Sequence, residues 1–359
     1  LKKHTLGLAA ALLVTAGMSQ IALAGDSVYV NTSSLRYRTS AQIKDNNIAG
    51  NLSYGQKLER VGTSGQWTMI LLNGKKYYVS SAYVTSKKPA SAGAVQTTSQ
   101  TAAGAQTSGG TAIALSSNYK YANYSKINSG TATLYRSTAS NKKNKVVCVN
   151  AGHGTNGGGS VKTQCHPDGS AKVTGGTTGA GATSAVAVSS GMTFADGTAE
   201  SKVTLAMAKV LKDKLLSAGY DVLMIRESDD VQLDNIARTV IANNNADCHI
   251  ALHWDSTSSN KGAFFMSVPS NATYRAMEPV ASHWKQHNQL GESLISGLKS
   301  AGVKIYSKGS MEMDLTQTSY STIPSVDIEL GDKASDHSGA TLETLANGLL
   351  AGVNTFFGQ

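Results

Sequence analysis

Two histidines and two glutamates in this 359-residue chain stand where a metal-assisted catalytic site could form. His153 follows the apolar run "VVCV" and lies between Gly152 and Gly154, His253 closes "HIAL", Glu329 lies near the end of "SVDIEL", and Glu200 opens a stretch of helical periodicity. Two imidazoles and a carboxylate on one rim suit a catalytic zinc, which commonly takes three protein ligands and leaves a fourth position for water. Zinc polarises a carbonyl and lowers the pKa of water, and a carboxylate facing it can carry a proton to the leaving group. The flanking glycines would let the chain turn sharply and keep the metal accessible. Strand alternation places Asp327 and Glu329 on one face, opposite Val326, Ile328 and Leu330, so the residue pattern leaves either carboxylate open as the base.

From residue 146 the sequence alternates strands with amphipathic helices. "KVVCVNAG" is followed by a helix from about 199 to 218, with Val203, Met207, Val210 and Leu211 on one face and Gly219 as its stop. Then come strand "YDVLMI", helix "LDNIARTVIANNN" and strand "CHIALH". After these stand "GAFFMSV", a long helix around 279–300, strands "VKIY" and "SVDIEL", and a closing helix over 339–356. This order predicts a three-layer α/β domain with a largely parallel mixed sheet. In such sheets ligands gather beyond the carboxyl ends of the strands, where His153, His253 and Glu329 stand.

Other polar residues read as structural. His249 shares a strand face with His253 but lies four residues, roughly 13 Å, deeper along it. Arg226 and Arg238 are expected to tie helices to the sheet through carboxylates. His283 and His287 stand four apart on a helix, but Trp284 occupies the place of the glutamate in an H-E-x-x-H zinc motif. Cys148 and Cys248 fall in apolar runs as buried free thiols, and Cys165, beside His166, reads as a plain loop cysteine without partners at zinc-finger spacing.

The front of the chain is built differently. Lys2 and Lys3, an apolar core from Leu6 to about Ala16 and the triplet Ala22, Leu23, Ala24 have the pattern of a cleaved secretory signal over 1–24. No later stretch is long and apolar enough to span a bilayer. Residues 25–86 read as short strands between Gly, Asn and Ser turns, a small all-β unit. Residues 87–118 are nearly all Ala, Gly, Ser, Thr and Gln and read as a flexible linker. Residues 119–145 form a basic connecting segment with four tyrosines and six Lys/Arg. Residues 25–86 hold seven Lys/Arg against three acids, 87–145 eight against none, and 146–359 fifteen against twenty. This asymmetry points the front half toward an anionic partner, and the lack of a nucleic-acid-binding motif argues against nucleic acid.

Two resemblances follow from these motifs. The series "VNAGHG", a Glu opening a helix, "LMIRESDD", "LDNIARTVIANNNAD", "HIALHWDS" and "VDIELGD" resembles the zinc-dependent N-acetylmuramoyl-L-alanine amidases over about residues 146–357. That resemblance implies Zn²⁺ as cofactor, His153, Glu200 and His253 as its ligands, Glu329 as the catalytic carboxylate, and peptidoglycan as substrate. The run "LRYRTS", "LSYG", Trp67, "NGKKYYV" and "YV" resembles bacterial SH3 domains, which implies a small wall-binding barrel with Trp67 and Tyr78 in its core. Together they imply a secreted, wall-associated hydrolase with possible affinity for anionic wall polymers. The alternatives are a zinc amide hydrolase acting within the stem peptide and an inactive wall-binding protein. The chain departs from the amidase pattern in a Gly/Ser/Thr-rich insertion over 155–199, in Trp254 and in Asp332.

Overall fold

A computed structural model describes residues 26–30, 34–42, 47–53, 55–88 and 109–359. The expected signal over 1–24 lies outside them, as does most of the expected linker. The chain divides into two units, residues 1–101 and 102–359.

In the first unit, β1 (Asp26–Val30), β2 (Ser34–Arg38), β3 (Ile48–Ser53), β4 (Lys57–Ser64), β5 (Trp67–Leu72), β6 (Lys75–Ser80) and β7 (Val84–Thr85) form one antiparallel sheet. The β5–β6 hairpin turns on Asn73 and Gly74 at φ 51° and 73°, the left-handed pair that a two-residue hairpin needs. Val28, Val30, Leu35, Leu52, Leu58, Ile70 and Val79 make the core. Trp67 and Tyr78, expected there, are only half-buried. Thr68 and Ile70 take the inward positions of β5 and Val79 that of β6, so alternation turns Trp67 and Tyr78 outward.

The second unit contains β8 (Thr111–Ala114), β9 (Thr131–Tyr135), β10 (Val146–Ala151), β11 (Lys162–Gln164), β12 (Ser184–Val186), α1 (Glu200–Ser217), β13 (Asp221–Met224), α2 (Asn235–Asn245) and β14 (Cys248–Asp255). It continues through β15 (Ala263–Ser267), α3 (Ala272–Ala276), α4 (Val280–Ser300), β16 (Ile305–Glu312), α5 (Thr316–Tyr320), β17 (Ser325–Asp332) and α6 (Gly339–Phe357). Eight strands form one mixed sheet in the order β16-β15-β17-β14-β10-β13-β9-β8. Its centre, β13-β10-β14-β17, is parallel, while β9 and β15 join it antiparallel.

Alternation splits each central strand between two helix layers. Val147, Val149, Ile250, Leu252, Val326 and Ile328 pack under α1, α4 and α6, whereas Cys148, Leu223 and Ile225 pack under α2. Burying about one such aliphatic side chain contributes roughly 1.5–3 kcal/mol, so the two faces together hold the sheet rigid. The four residues singled out above are therefore carried by the most deeply packed part of the fold.

The expected boundary at 118/119 falls inside this unit. Thr111–Ala114 pairs with β9, and β9 pairs with β13, so the end of the expected linker and the basic segment extend the sheet. The Asp234 carboxylate explains the attachment. It caps α2 through Ala237 N (2.8 Å) and also accepts from Ser125 Oγ, Lys126 N and Ile127 N at 2.6–3.1 Å. Tyr121 and Tyr124 pack edge-on against Tyr320, each with ring centroids 5.5 Å away. Among the described residues, no helix is long and apolar enough to cross a membrane.

Candidate metal centre

His153, Glu200 and His253 come together at the carboxyl ends of the central strands. His153 Nε2 lies 2.8 Å from Glu200 Oε1 and 3.0 Å from His253 Nδ1, and His253 Nδ1 lies 3.2 Å from the same carboxylate oxygen. Three ligand atoms about 2 Å from a tetrahedral zinc would stand about 3.4 Å apart, close to these spacings. Among the described residues this is the one group of three or more His, Cys, Asp or Glu side chains able to hold a metal.

Each of these candidate ligands is placed by its surroundings. His153 Nδ1 is 2.9 Å from the Ser189 carbonyl, which can only accept, so Nδ1 carries the proton and the Nε2 lone pair faces Glu200 and His253. Glu200 is the first residue of α1, and its second oxygen accepts from Met192 N at 2.8 Å while Glu200 N donates to Met192 O at 3.0 Å. Its first oxygen also accepts from Trp254 N at 3.0 Å. The N-terminal end of the helix favours that negative charge.

The turn at "AGHG" differs from the one expected. His153 itself adopts φ 63°, a left-handed conformation that costs a non-glycine residue roughly 1–2 kcal/mol, and Gly154 follows at φ 74°. Gly152 serves close approach, since a Cβ there would overlap the His253 ring. Two arginines hold the strained peptide. Arg238 Nη2 donates to His153 O at 2.6 Å and Nη1 to Asn150 Oδ1 at 3.1 Å, while Arg226 donates to the carbonyls of Ala151, Gly152, Ser201 and Ser228 at 2.6–3.0 Å. The expectation that these arginines act through carboxylates is thus corrected. Their partners are main-chain carbonyls together with the Asn150 amide oxygen and the Thr155 and Thr204 hydroxyls, and burial lowers Arg226 to about 10 and Arg238 to about 9.

The electrostatics favour a positive charge at the meeting point. Burial works against the charge on Glu200, yet hydrogen bonds with His153 and His253 outweigh it and hold the carboxyl well below its usual range. Burial alone would lower His253, but Asp327, Glu200 and Glu329 raise it to about 10. Burial lowers His153. Burial pushes Glu329 well up and Asp327 up, with His253 opposing both shifts. Donor set, spacing and field all fit a divalent cation. Glu329 stands one strand over from His253, directly opposite it in register, and its Oε2 is buried with no hydrogen-bond partner among the described residues.

These side chains open on a cleft of about 530 Å³ also lined by Arg238, Met266, Met313 and Gln317. The 155–199 insertion forms one wall. It is fixed by Asp314, which accepts from Val173 N (2.7 Å), Thr174 N (3.0 Å), His166 Nε2 (3.0 Å) and Lys172 Nζ (3.1 Å). Cys165 is buried beside this anchor, Cys148 and Cys248 are buried in the cores on the two faces of the central sheet, and all three are free thiols. Trp254 fits because its side chain points to the opposite strand face, where it packs on Phe194 of the insertion at 5.9 Å. Asp332 shapes a turn, accepting from Ala334 N at 3.0 Å and Lys261 N at 3.2 Å.

The remaining histidines lie elsewhere. His249 is fully buried, neither ring nitrogen has a partner among the described residues, and burial lowers it to about 3. His283 Nδ1 donates to Pro279 O at 2.8 Å, and His287 Nδ1 accepts from Ser325 N at 3.0 Å.

Solved structures with similar folds include the N-acetylmuramyl-L-alanine amidase of Mycobacterium smegmatis, at 18% identity and TM-score 0.49, covering 61% of this chain and 99% of that one. The corresponding Mycobacterium abscessus enzyme has 19% identity and TM-score 0.46, with 59% and 98% covered. An N-acetylmuramoyl-L-alanine amidase from Clostridium difficile 630 has 16% identity and TM-score 0.42, with 60% and 97% covered. Among curated proteins none matches this sequence. The family profile described as N-acetylmuramoyl-L-alanine amidase matches residues 147–346, from β10 into α6 and across every residue of the site. The chain belongs to the N-acetylmuramoyl-L-alanine amidases, which hydrolyse peptidoglycan at the bond between N-acetylmuramic acid and L-alanine.

Proposed function

We propose that this amidase is zinc-dependent, with His153, Glu200 and His253 as the ligands and Glu329 as the proton carrier. The observation that carries this reading is the convergence of His153 Nε2, His253 Nδ1 and Glu200 Oε1 within 3.2 Å of one another. A bound zinc ion would supply Lewis acidity toward the scissile carbonyl and make water more acidic near neutral pH. Among the described residues Glu329 Oε2 has no hydrogen-bond partner to hold it to the fold. Its carboxylate accepts a proton from the attacking water and returns it to the amine nitrogen of the departing L-alanine. The insertion lines the same cleft and so stands where it can contact the substrate.

We further read residues 1–24 as a secretory signal and the antiparallel β unit as an SH3-like module that keeps the enzyme at the wall. The basic residues of the front support this second role through attraction to anionic wall polymers. Digestion of purified peptidoglycan, with and without a chelator, tests the chemistry. The expected products are a lactyl carboxyl on the glycan and a free L-alanine amine on the peptide, with turnover lost on chelation and restored by zinc. A new amine on any other stem residue would refute the bond assignment, and full activity after complete metal removal would refute the zinc.

A further inference from the structure

We propose that Asp327 is the positioning residue for His253. The inference rests on the zinc reading above and assigns a job to a carboxylate that reading leaves unused. Asp327 and Glu329 share a face of β17, and the neighbouring parallel strand β14 sets Ala251 opposite Asp327 and His253 opposite Glu329. The imidazole of His253 therefore stands over both carboxylates. Its Nδ1 faces His153 and Glu200, while its Nε2 faces Asp327 Oδ2 at 3.6 Å.

A metal-binding histidine needs its second ring nitrogen held by an acceptor, because the torsion that turns the ring is soft and the neutral ring has two tautomers. Asp327 Oδ2, at an ion-pair distance of 3.6 Å from Nε2, is the carboxylate placed to serve as that acceptor. A proton on Nε2, drawn to the carboxylate, leaves the Nδ1 lone pair directed at the point where His153 and Glu200 converge. Ser189 does the same for His153 from the other side of the site, through its carbonyl at 2.9 Å.

Comparison with the buried aspartates of this chain separates a positioning role from a structural one. Asp234, Asp314 and Asp332 each accept backbone N–H groups on both carboxylate oxygens. Asp327 does not. Its Oδ1 is buried with no hydrogen-bond partner among the described residues. An under-satisfied buried carboxylate is costly to a fold, and the interaction that offsets the cost here is the one with His253.

The test uses full-length protein and zinc itself as the probe, with Asp327→Leu, Asp327→Asn and the unsubstituted enzyme compared. Zinc dissociation constants come from competition with a chromogenic chelator, and kcat and KM are measured at limiting and saturating zinc. Asp327→Leu is expected to bind zinc about 10–100-fold more weakly, the usual effect of removing such a partner, and to regain most of its kcat when zinc saturates. Asp327→Asn keeps an acceptor oxygen for Nε2–H, so it should lose less, and it carries the test should the Leu variant fail to fold. Zinc affinity unchanged in both variants overturns the inference alone. So does a kcat that stays low at saturating zinc with affinity intact, since Asp327 would then be the base. Absence of zinc binding by the unsubstituted enzyme overturns the zinc reading and this inference together.

Discussion

Glu200 and Glu329 are both buried carboxylates, yet their neighbours give them different chemistry. Glu200 is locked by Met192 N, Trp254 N and two imidazoles, whereas Glu329 keeps an oxygen free at the rim. Glu200→Ala is therefore expected to lose zinc and turnover together. Glu329→Gln should keep its zinc, measured by elemental analysis, while turnover falls at least about 10²-fold, the usual contribution of a positioned acid or base. A Glu329→Gln protein devoid of metal would make Glu329 a ligand and return Glu200 to the role of a helix-start carboxylate. The placement of His153, Glu200, His253 and Glu329 at strand ends and a helix start was legible as changes of period, whereas their roles followed only from the family resemblance. Arg226 and Arg238 were misread. Their partners include main-chain carbonyls of the "AGHG" turn and of Ser201, Ser228 and Leu233, and a carbonyl leaves no trace in residue type. The same limit applied to the turn itself, where the left-handed residue is His153 as well as a glycine.

At the scale of elements, long periodic segments were read within a residue or two. The helix expected over 199–218 is Glu200–Ser217, and that expected over 339–356 is Gly339–Phe357. The short pieces were not. β8, β9, β11 and β12 are too brief to show alternation, and each is held by partners distant in sequence. The insertion shows why. Its fold depends on Asp314, about 140 residues beyond the backbone groups it binds, and composition alone reads such a Gly-rich stretch as mobile. Asp314→Ala should strand Lys172 and His166 in a buried setting and cost about 3–5 kcal/mol, the range for removing one partner of a buried ion pair. Limited proteolysis would then cut within residues 166–182, and weaker support of Ser189 and Met192 would lower zinc affinity as well. An uncut insertion in that variant would show that other packing fixes the wall. The pH dependence follows from the sign of the shift. Burial opposes ionisation of Asp314, but hydrogen bonds with His166 and Thr174 and the charge of Lys172 bring its carboxyl well below the usual value. The anchor is thus fully effective above the unfolded value of about 3.9 and is lost only as pH falls below it.

For the whole molecule, the structure redraws where the charge belongs. The sequence placed all the basic excess of residues 25–145 in front of the catalytic domain, but residues 111–135 build strands of its sheet. Residues 102–145 carry six Lys/Arg and no acid, against fifteen Lys/Arg and twenty acids in 146–359, so the second unit as a whole has a net charge of +1. Part of that basic segment is neutralised on the spot, with Arg136 on Asp221 at 2.6 Å and Lys145 on Asp247 at 3.0 Å. The first unit keeps nine Lys/Arg against three acids over residues 25–101, a net +6 on a much smaller body. Wall affinity should therefore reside in the first unit, not in the whole basic front. Deleting residues 25–101 is expected to abolish most co-sedimentation with purified cell walls while leaving turnover on short soluble muropeptides within about twofold, because the sheet and the site are left intact. Binding by the full chain should also weaken as salt rises from about 0.05 to 0.5 M, over which the screening length falls from more than 10 Å to less than 5 Å. Undiminished sedimentation of the deleted protein would place the wall contact on the catalytic unit, and salt-independent binding by the full chain would replace charge with side-chain recognition as its basis.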